Sequence, residues 1–391
     1  MVSNNFRACL PGETLSRVSP YLGRLGITRV GRQTELDRIG IPVWCAYAPN
    51  SRAIVIAQGK GLDDVSAKTS AVMEAIERSV ATQPFCSALM ASQDDLAASG
   101  DATDCLEDLL AIGAQPVETT EQIRWSQAHD LAKNASIFVP FEAVHLDRTH
   151  VSPRFWVSSD GLASGNTWHE AVLHGLLERV ERDACVLWNV GEPEYRYARR
   201  IDPQSIDDEG VREMLEKIFS ADFDLAVFDV TSDLAVAAVV ALLRPKGDDG
   251  SLRYVDLTMG AGSSLSPYVA AARAISEAVQ SRMTFIAGAR DDLVPELFSR
   301  RADPAHLLSF RARYTTNLDE LPTMSAGSAQ DALDQLIEAL LEGGIDQLYA
   351  IELAPEWLPA SVAKVFAPQL EHPDGDRRIR FGSRALSKSF L

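Results

Sequence analysis

The chain has 391 residues, with 37 basic and 55 acidic side chains and a formal net charge of −18. Because phosphate binding depends on basic surface, this charge excludes a general nucleic-acid-binding protein. Hydrophobic residues make up 46% of the chain, which excludes bulk disorder. No linker-like or low-complexity tract divides the sequence, so we expect one continuous globular domain over residues 1–391.

Neither membrane insertion nor export is predicted. The longest apolar run, from Leu234 to Leu243, falls well short of the ~20 residues that a membrane-spanning helix needs. The N-terminus lacks a basic region followed by an apolar stretch, so we expect a cytoplasmic protein. The five cysteines are scattered, without a C-x-x-C pair, which argues against a disulfide framework and a structural zinc site.

The predicted elements combine strands in hairpin-like succession with long helices. A KGDDG segment (246–250) predicts a hairpin turn. This order favours layered α+β architecture over a doubly wound parallel sheet. Strands are predicted at 42–48, 53–57, 138–140, 225–230, 235–243, 253–259 and 347–353, and helices at 67–82, 167–187, 267–287 and 329–341.

A weak internal repeat joins three of these helices. Glycine-containing polar segments starting at Gly59, Ser159 and Met259 each lead into a helix that carries acidic or amide residues three apart. Thr167 with Glu170 predicts a capping box, and Ser266 before a proline predicts another helix start. Aligning the helices superimposes Glu74, Glu178 and Glu277, and then Glu77, Glu181 and Gln280.

Carboxylates converge on one face of each of the first two helices. Apolar neighbours surround them, so the helices are expected to be largely buried, and buried like charges must be neutralised by protons or cations. Hard divalent cations such as Mg²⁺ fit such oxygen ligands. The face of the first helix carries Ser70, Glu74 and Glu77, and that of the second carries Asn166, Glu170, Glu178 and Glu181.

The glycine-rich helix entries supply the complementary half of a nucleotide site. Free backbone N–H groups and the helix dipole favour anions such as phosphate, and Lys60 between two glycines adds a cation. There is no Walker A sequence and no protein-kinase signature. The seven histidines supply no H-E-x-x-H, and the single E-x-x-H, from Glu142 to His145, has no second copy, so hydrolytic zinc and di-iron bundle chemistry lack their ligands.

These spacings resemble the YcaO family of ATP-dependent peptide-backbone-modifying enzymes. The resemblance implies a YcaO-type layered fold with mixed or antiparallel sheets, in which long helices carry the carboxylates. It also implies MgATP-dependent phosphorylation of an amide oxygen of a peptide, followed by nucleophilic attack on the amide carbon. The matching segments are GITRV (26–30), LDRIGIPV (36–43), QGKG (58–61), SDGLASGNT (159–167), ERDA (181–184) and PQLE (368–371).

The same resemblance implies roles for individual residues. Glu178 and Glu181 count as catalytic as well as metal-binding, and Arg282 is the candidate for stabilising the transferred phosphoryl group. On an ideal helix Arg282 projects roughly 140° away from Glu277, so Arg290 is a rival and a structural salt bridge is the alternative. The implied magnesium ligands are Glu74, Glu77, Glu170, Glu178 and Glu181, and the implied nucleotide contacts are Lys60, Ser70, Asn166, Glu277 and Gln280.

Two departures from the family pattern narrow the subtype. Azoline-forming cyclodehydratases of the family usually end in a proline-rich PxPxP tail, whereas this sequence ends RALSKSFL. The chain also lacks an appended tetratricopeptide-type region or a fused winged-helix domain for peptide recognition. It is therefore most similar to members that install thioamides with a TfuA-like partner, and the family implies a homodimer. Azoline formation, and a noncatalytic nucleotide-binding scaffold, remain the alternatives.

Two further side chains near the carboxylates admit a functional interpretation. Cys185 lies four residues after Glu181, where a sulfur carrier is conceivable, although a small buried thiol is the favoured interpretation. His174 lies four residues after Glu170, where a structural hydrogen-bonding role is favoured over a general base.

Overall fold

The computed structural model describes residues 6–247, 252–288, 290 and 292–389. Eleven α-helices lie in this part of the chain, of which three are long and carry most of the predicted site. The helices are α1 (Pro11–Val18), α2 (Asp64–Thr82), α3 (Gln93–Ala98), α4 (Phe141–Val144), α5 (Trp168–Val190), α6 (Pro193–Arg196), α7 (Glu209–Ser220), α8 (Pro267–Ala287), α9 (Pro304–Leu308), α10 (Ala329–Glu342) and α11 (Ser383–Ser389).

Fourteen strands in the described residues form three sheets. They are β1 (Arg29–Arg32), β2 (Val43–Tyr47), β3 (Ile56–Lys60), β4 (Leu89–Ala91), β5 (Ile123–Asp130), β6 (Ala135–Pro140), β7 (Leu162–Gly165), β8 (Arg200–Ile201), β9 (Phe223–Asp229), β10 (Ala238–Pro245), β11 (Thr258–Ser263), β12 (Tyr314–Thr316), β13 (Tyr349–Glu352) and β14 (Ser361–Phe366).

The sheets are antiparallel apart from one parallel pair. A small sheet has the order β1-β2-β3, and a five-stranded sheet has the order β11-β10-β9-β8-β12, in which β8 and β12 are parallel. A six-stranded sheet runs β4-β5-β13-β14-β7, with β6 paired to β5. This confirms the predicted α+β fold with mixed or antiparallel sheets.

Helix α5 joins the two larger sheets, because it is apolar on two sides. Val172 and Leu176 belong to a core with β14 and α10, whereas Ala184 and Trp188 pack in a separate core with β9 and β10. A helix buried on both sides holds its remaining polar face in a fixed position. That face carries Glu178 and Glu181.

The four predicted helices are present with small shifts at their ends, but the strand predictions are less accurate. The prediction at 253–259 is wrong for most of its length: residues 254–256 form a 3₁₀ turn, and β11 begins only at Thr258. The cause is local, since the Arg253 guanidinium binds the Asp256 carboxylate across the turn at 2.8 and 2.9 Å. The predicted turn at 246–250 lies largely outside the described residues, which include only its first two positions.

Several strands escape prediction because their polar residues break the alternation. Strand β5 reads IRWSQAHD, and Ser126 and Asp130 on it are buried. None of the described helices combines the length and apolarity needed to span a bilayer.

Candidate active site

Three strand-to-helix junctions of one design build the site. Strand β3 leads into α2, β7 into α5 and β11 into α8. At each junction a glycine lets the helix backbone lie directly on the strand. A Cβ added to Gly59 would lie 2.0 Å from the Ala71 nitrogen, one on Gly165 would lie 2.6 Å from the Ala171 nitrogen, and one on Gly260 would lie 2.2 Å from the Ala274 oxygen. The repeat seen in the sequence is therefore a repeated close packing of helix on strand.

Five carboxylates from the three helices form what we call the acid cluster: Glu74 and Glu77 of α2, Glu178 and Glu181 of α5, and Glu277 of α8. Burial raises the pKa of Glu77 to about 8, and the charges of Glu74 and Glu178 act in the same direction. Burial likewise raises the pKa of Glu178 to about 7, with Glu181 adding to the effect, and raises that of Glu181, next to Glu277. The helices thus bring together like charges that the protein alone does not fully neutralise.

Basic side chains lie among the carboxylates of the acid cluster. The Lys60 ammonium lies 2.5 Å from Glu277 Oε2, and although burial opposes it, this contact together with Arg182 holds the pKa of Glu277 below its ordinary value. Arg182 lies 3.2 Å from Glu178, and Arg78 lies 2.5 Å from Glu74. Burial disfavours the Arg182 charge, but Glu178, Glu181 and Glu277 together raise its pKa well above the ordinary value.

Solvent still reaches part of the acid cluster. The side chains of Glu178 and Glu277 are 22% and 27% exposed, although protein surrounds them closely enough to desolvate their charges. Gln280, one turn after Glu277, has a buried side-chain oxygen without a hydrogen-bond partner among the described residues. Carboxylates with raised pKa values and an unsatisfied amide oxygen fit a hard divalent cation and a ligand that donates hydrogen bonds.

Glu170 is not part of this cluster. Its carboxylate accepts hydrogen bonds from the Ala8 backbone N–H at 2.5 Å and from the Asn166 backbone and side-chain nitrogens, both at 2.9 Å. The predicted capping box is therefore only half formed: Thr167 accepts from the Glu170 N–H at 3.3 Å, but the Glu170 carboxylate binds Asn166 and the N-terminal segment instead. The Asn166 side-chain oxygen accepts from the Thr14 hydroxyl at 2.7 Å.

Ser70 and the two candidate arginines have separate surroundings. Ser70 is half-buried one turn before Glu74 on α2. Arg282 donates from Nε to Asp37 Oδ2 at 3.1 Å, and its guanidinium lies 4.7 Å from the centroid of the Phe223 ring. Its rival Arg290 pairs with Asp292 at 2.8 Å.

Sequence reasoning assigned no role to the arginines of the cluster. Arg78 and Arg182 each lie four residues after a motif glutamate, and this i,i+4 spacing is the signal that could have found them. Arg273 has the same spacing in reverse, four residues before Glu277, but its contact with His174 Nε2 at 2.9 Å joins two helices and has no sequence signal. Burial, with Arg273 and Arg7 nearby, lowers the pKa of His174 far below its ordinary value, so this imidazole is neutral.

Burial raises the pKa of the Cys185 thiol, and the Glu181 charge adds to the effect. A thiol that resists ionisation is a poor nucleophile and a poor sulfur carrier. The side chain is half-buried, and its resistance to ionisation agrees with the interpretation of Cys185 as an unreactive thiol.

The C-terminal part of the chain contacts α5 through a second buried group of polar side chains, formed by Asp160, Arg179 and His372. Asp160 pairs with Arg179, whose side chain is 1% exposed, and it also lies 2.9 Å from His372 Nδ1. Arg179 donates to the Leu370 and Glu371 carbonyls at 3.1 and 2.9 Å. The Asp160 charge also adds to the burial that raises the pKa of Glu178, so this group is electrostatically linked to the acid cluster.

Comparison with known proteins identifies the family. Residues 58–371 match the model of the YcaO family, described as YcaO cyclodehydratase, ATP- and Mg²⁺-binding. A protein encoded in the tfuA 3′ region of Rhizobium leguminosarum bv. trifolii is 35% identical, over 97% of this chain and 92% of that protein. A protein of Methanothermobacter thermautotrophicus is 33% identical over 93% of this chain and 95% of its own length.

Solved structures share the fold. YcaO from Methanopyrus kandleri bound with AMPPCP and Mg²⁺ has a TM-score of 0.71 at 23% identity, covering 93% of this chain and 92% of that one. A heterocyclase in complex with substrate and cofactor has a TM-score of 0.77 at 20% identity, covering 94% of this chain, which spans only 53% of the heterocyclase. The chain therefore belongs to the YcaO family of ATP-dependent peptide-modifying enzymes, with ATP and Mg²⁺ as its cofactors, as its motifs predicted.

Proposed function

We propose that this enzyme converts a backbone amide of a ribosomally made peptide or protein into a thioamide, together with a TfuA-like partner. ATP supplies the γ-phosphoryl group, which bonds to the amide oxygen and leaves ADP. Sulfide then attacks the amide carbon, the carbon–oxygen bond breaks, and inorganic phosphate departs with the former amide oxygen. The support for this subtype is the relative encoded in the tfuA 3′ region, which is similar over 97% of the chain.

The acid cluster is the single observation that carries the ATP-dependent part of the proposal. We assign Mg²⁺ binding to Glu74, Glu77, Glu178 and Glu181. Burial raises the pKa of the last three, so a divalent cation is favoured there over a proton. The Glu74 charge acts on Glu77, one turn away on the same helix, which places it beside them. Phosphoryl transfer spreads negative charge over equatorial oxygens, and the bound cation supplies compensating charge there. For Glu170, Mg²⁺ binding remains a prediction that requires its carboxylate to exchange the bonds from Ala8 and Asn166.

The nucleotide contacts follow from the same junctions. The Lys60 ammonium contacts Glu277, so a phosphate that binds there can replace this contact, while the nearby charge of Arg182 still acts on Glu277. Gln280 offers its unpartnered oxygen to a donor, and Ser70 and Asn166 lie at the start of the acidic faces. Arg282 can reach a phosphoryl group only by leaving Asp37, so we favour Arg182 as the cation nearest to the transferred group.

The test uses the Glu178→Gln variant, with Glu213→Gln as the matched control, because Glu213 is an exposed glutamate on α7. ATP at about 100 times its dissociation constant should stabilise the folded protein by roughly 2.7 kcal/mol. We expect thermal stabilisation that needs both ATP and Mg²⁺, that disappears in Glu178→Gln and that is unchanged in Glu213→Gln. Equal stabilisation of all three proteins would show that the acid cluster is not the nucleotide site.

The mass of the product distinguishes thioamide formation from azoline formation. A substrate peptide incubated with ATP, Mg²⁺, sulfide and the partner should gain the mass difference between sulfur and oxygen. Azoline formation is the second candidate, favoured by the cyclodehydratase description of the family, and it would make the peptide one water lighter. If the peptide is modified equally by wild type and Glu178→Gln, the noncatalytic scaffold hypothesis gains support instead.

A further inference from the structure

The loop that follows helix α4 brings together two histidines and an aspartate, far from the acid cluster in sequence. We propose that His145, Asp147 and His150 form a binding site for a divalent transition-metal ion, with zinc as the best match. Their candidate ligand atoms all lie within 4.8 Å of one another. Within the described residues this is the one group of three histidine, cysteine or acidic side chains that converges so closely.

The distances need only small side-chain rotations to bind an ion. His150 Nε2 lies 3.8 Å from Asp147 Oδ2, and the two imidazole centroids are 5.4 Å apart. In a tetrahedral zinc site, with metal–ligand bonds of about 2.0–2.1 Å, neighbouring ligand atoms lie about 3.4 Å apart. The backbone can therefore stay in place while the three side chains close on the ion.

Hydrogen bonds already orient two of the ligands. His145 Nδ1 lies 3.2 Å from the Glu142 carbonyl oxygen, a contact that makes Nδ1 the donor and leaves the Nε2 lone pair free for a metal. The ring also stacks on Phe141, with centroids 5.4 Å apart. Asp147 is buried, and its Oδ1 accepts from the Thr149 backbone nitrogen and hydroxyl at 2.9 and 2.5 Å, which leaves Oδ2 directed toward His150.

The loop itself is fixed on both sides. The Leu146 N–H donates to the Ala81 carbonyl in the last turn of α2 at 2.8 Å, and the Arg148 N–H donates to the Arg52 carbonyl at 2.9 Å. A metal here would therefore rigidify a loop that already contacts the end of the helix that carries Glu74 and Glu77.

The donor set selects the kind of metal. Two imidazole nitrogens with one carboxylate suit zinc and neighbouring first-row ions, whereas Mg²⁺ prefers oxygen ligands. The His150 side chain is 58% exposed, so a fourth position of the ion faces solvent. Arg52 competes for Asp147, since its Nη1 lies 3.0 Å from Oδ2, but its side chain is 51% exposed and can move away.

The sequence signal is H-x-D-x-x-H at 145–150, a spacing that differs from both H-E-x-x-H and paired E-x-x-H motifs. Glu142, the acidic member of the E-x-x-H, is not a ligand. Its carboxylate accepts from the Arg154 backbone nitrogen at 2.6 Å instead.

The test is equilibrium dialysis of the full chain against Zn²⁺, with excess Mg²⁺ and ATP present to occupy the acid cluster. The variants are His145→Ala and His150→Ala, and the matched control is His129→Ala, a half-buried histidine on β5. We expect one zinc ion per chain, bound at least tenfold more weakly by both variants and unchanged in the control. Co²⁺ in place of Zn²⁺ should give the intense visible absorption of a four-coordinate site, and the His150→Ala variant should lose it.

Two further measurements separate lost zinc binding from lost folding and test the competition by Arg52. Thermal unfolding without metal should be unchanged in His150→Ala, because that side chain is largely exposed, so lost binding cannot come from lost folding. Arg52→Gln should bind zinc more tightly than wild type, because a competing cation is removed. Zinc binding that is absent in the wild type, or equal in wild type and His150→Ala, would overturn the proposal whatever the outcome for ATP.

Discussion

Replacing Gly59 with alanine should push helix α2 off strand β3. The new methyl carbon would lie 2.0 Å from the Ala71 nitrogen and 2.2 Å from the Ala67 oxygen, whereas ordinary contacts of a Cβ begin at about 3.4 Å. Both neighbours are backbone atoms of a helix, so no side chain can rotate away. The helix must move by more than about 1 Å, and Glu74 and Glu77 must move with it.

The magnitude follows from two opposing effects. Overpacking of a rigid interior typically costs about 1–3 kcal/mol, and the backbone clash places this site at the upper end. Alanine reduces the entropy of the unfolded chain and offsets about 0.4–1 kcal/mol of this. We therefore expect a net loss of about 2 kcal/mol or more, together with loss of the stabilisation by ATP and Mg²⁺.

The assay is urea unfolding of Gly59→Ala beside Gly23→Ala, with and without ATP and Mg²⁺. Gly23 is the matched control, because a Cβ there meets no atom within 4 Å. The control should unfold at the wild-type midpoint or slightly above it, and it should keep its response to the nucleotide. If both variants share one midpoint, the close packing of helix on strand does not determine the position of the carboxylates.

Three other predictions concern the charges and the thiol near the site. The folded protein raises the pKa of Glu77 to about 8, above the ordinary value of 4.5, so this carboxyl stabilises the ligand-free fold at low pH, and that stabilisation is lost as the pH rises through 8. Because Mg²⁺ must displace the same proton, calorimetry should show that the affinity for Mg²⁺ in the presence of ATP rises roughly tenfold or more between about pH 6 and 8.5. A flat pH profile would contradict this. Asp160→Asn leaves the Arg179 guanidinium buried without its counter-charge, so urea unfolding should show a loss of about 3–5 kcal/mol, whereas Asp374→Asn, at an exposed ion pair, should leave the midpoint unchanged. Cys185→Ala should retain peptide modification within about twofold, because burial keeps the thiol protonated; turnover lost with the fold intact would restore the sulfur-carrier hypothesis.

The long helices were predictable because their apolar residues recur with helical period over many turns. Helices α2, α5 and α8 all lie where the pattern places them. Strands with buried polar residues were not predictable, because their partners come from distant parts of the chain. Strand β5, for example, pairs with β4, β6 and β13.

The candidate site, too, was predictable from the sequence only in part. The spacing of Glu74, Glu77, Glu178 and Glu181 on helical faces indicated carboxylates that converge on a cation. Glu170 lies on the same face of its helix but in a different environment, because the N-terminal segment binds its carboxylate. Periodicity gives the face of a helix on which a residue lies, but it does not give the neighbour that this face meets.

The sequence by itself determined the helices, their acidic faces, the glycines at their starts and, through these, the family. The tertiary structure alone decided which polar side chains meet: Lys60 with Glu277, Arg273 with His174, and Arg282 with Asp37. The physical reason is the distance along the chain over which each effect acts. Helical period and capping act over a few residues, whereas the pKa of a buried carboxylate depends on desolvation and on charges that other elements bring within a few ångströms.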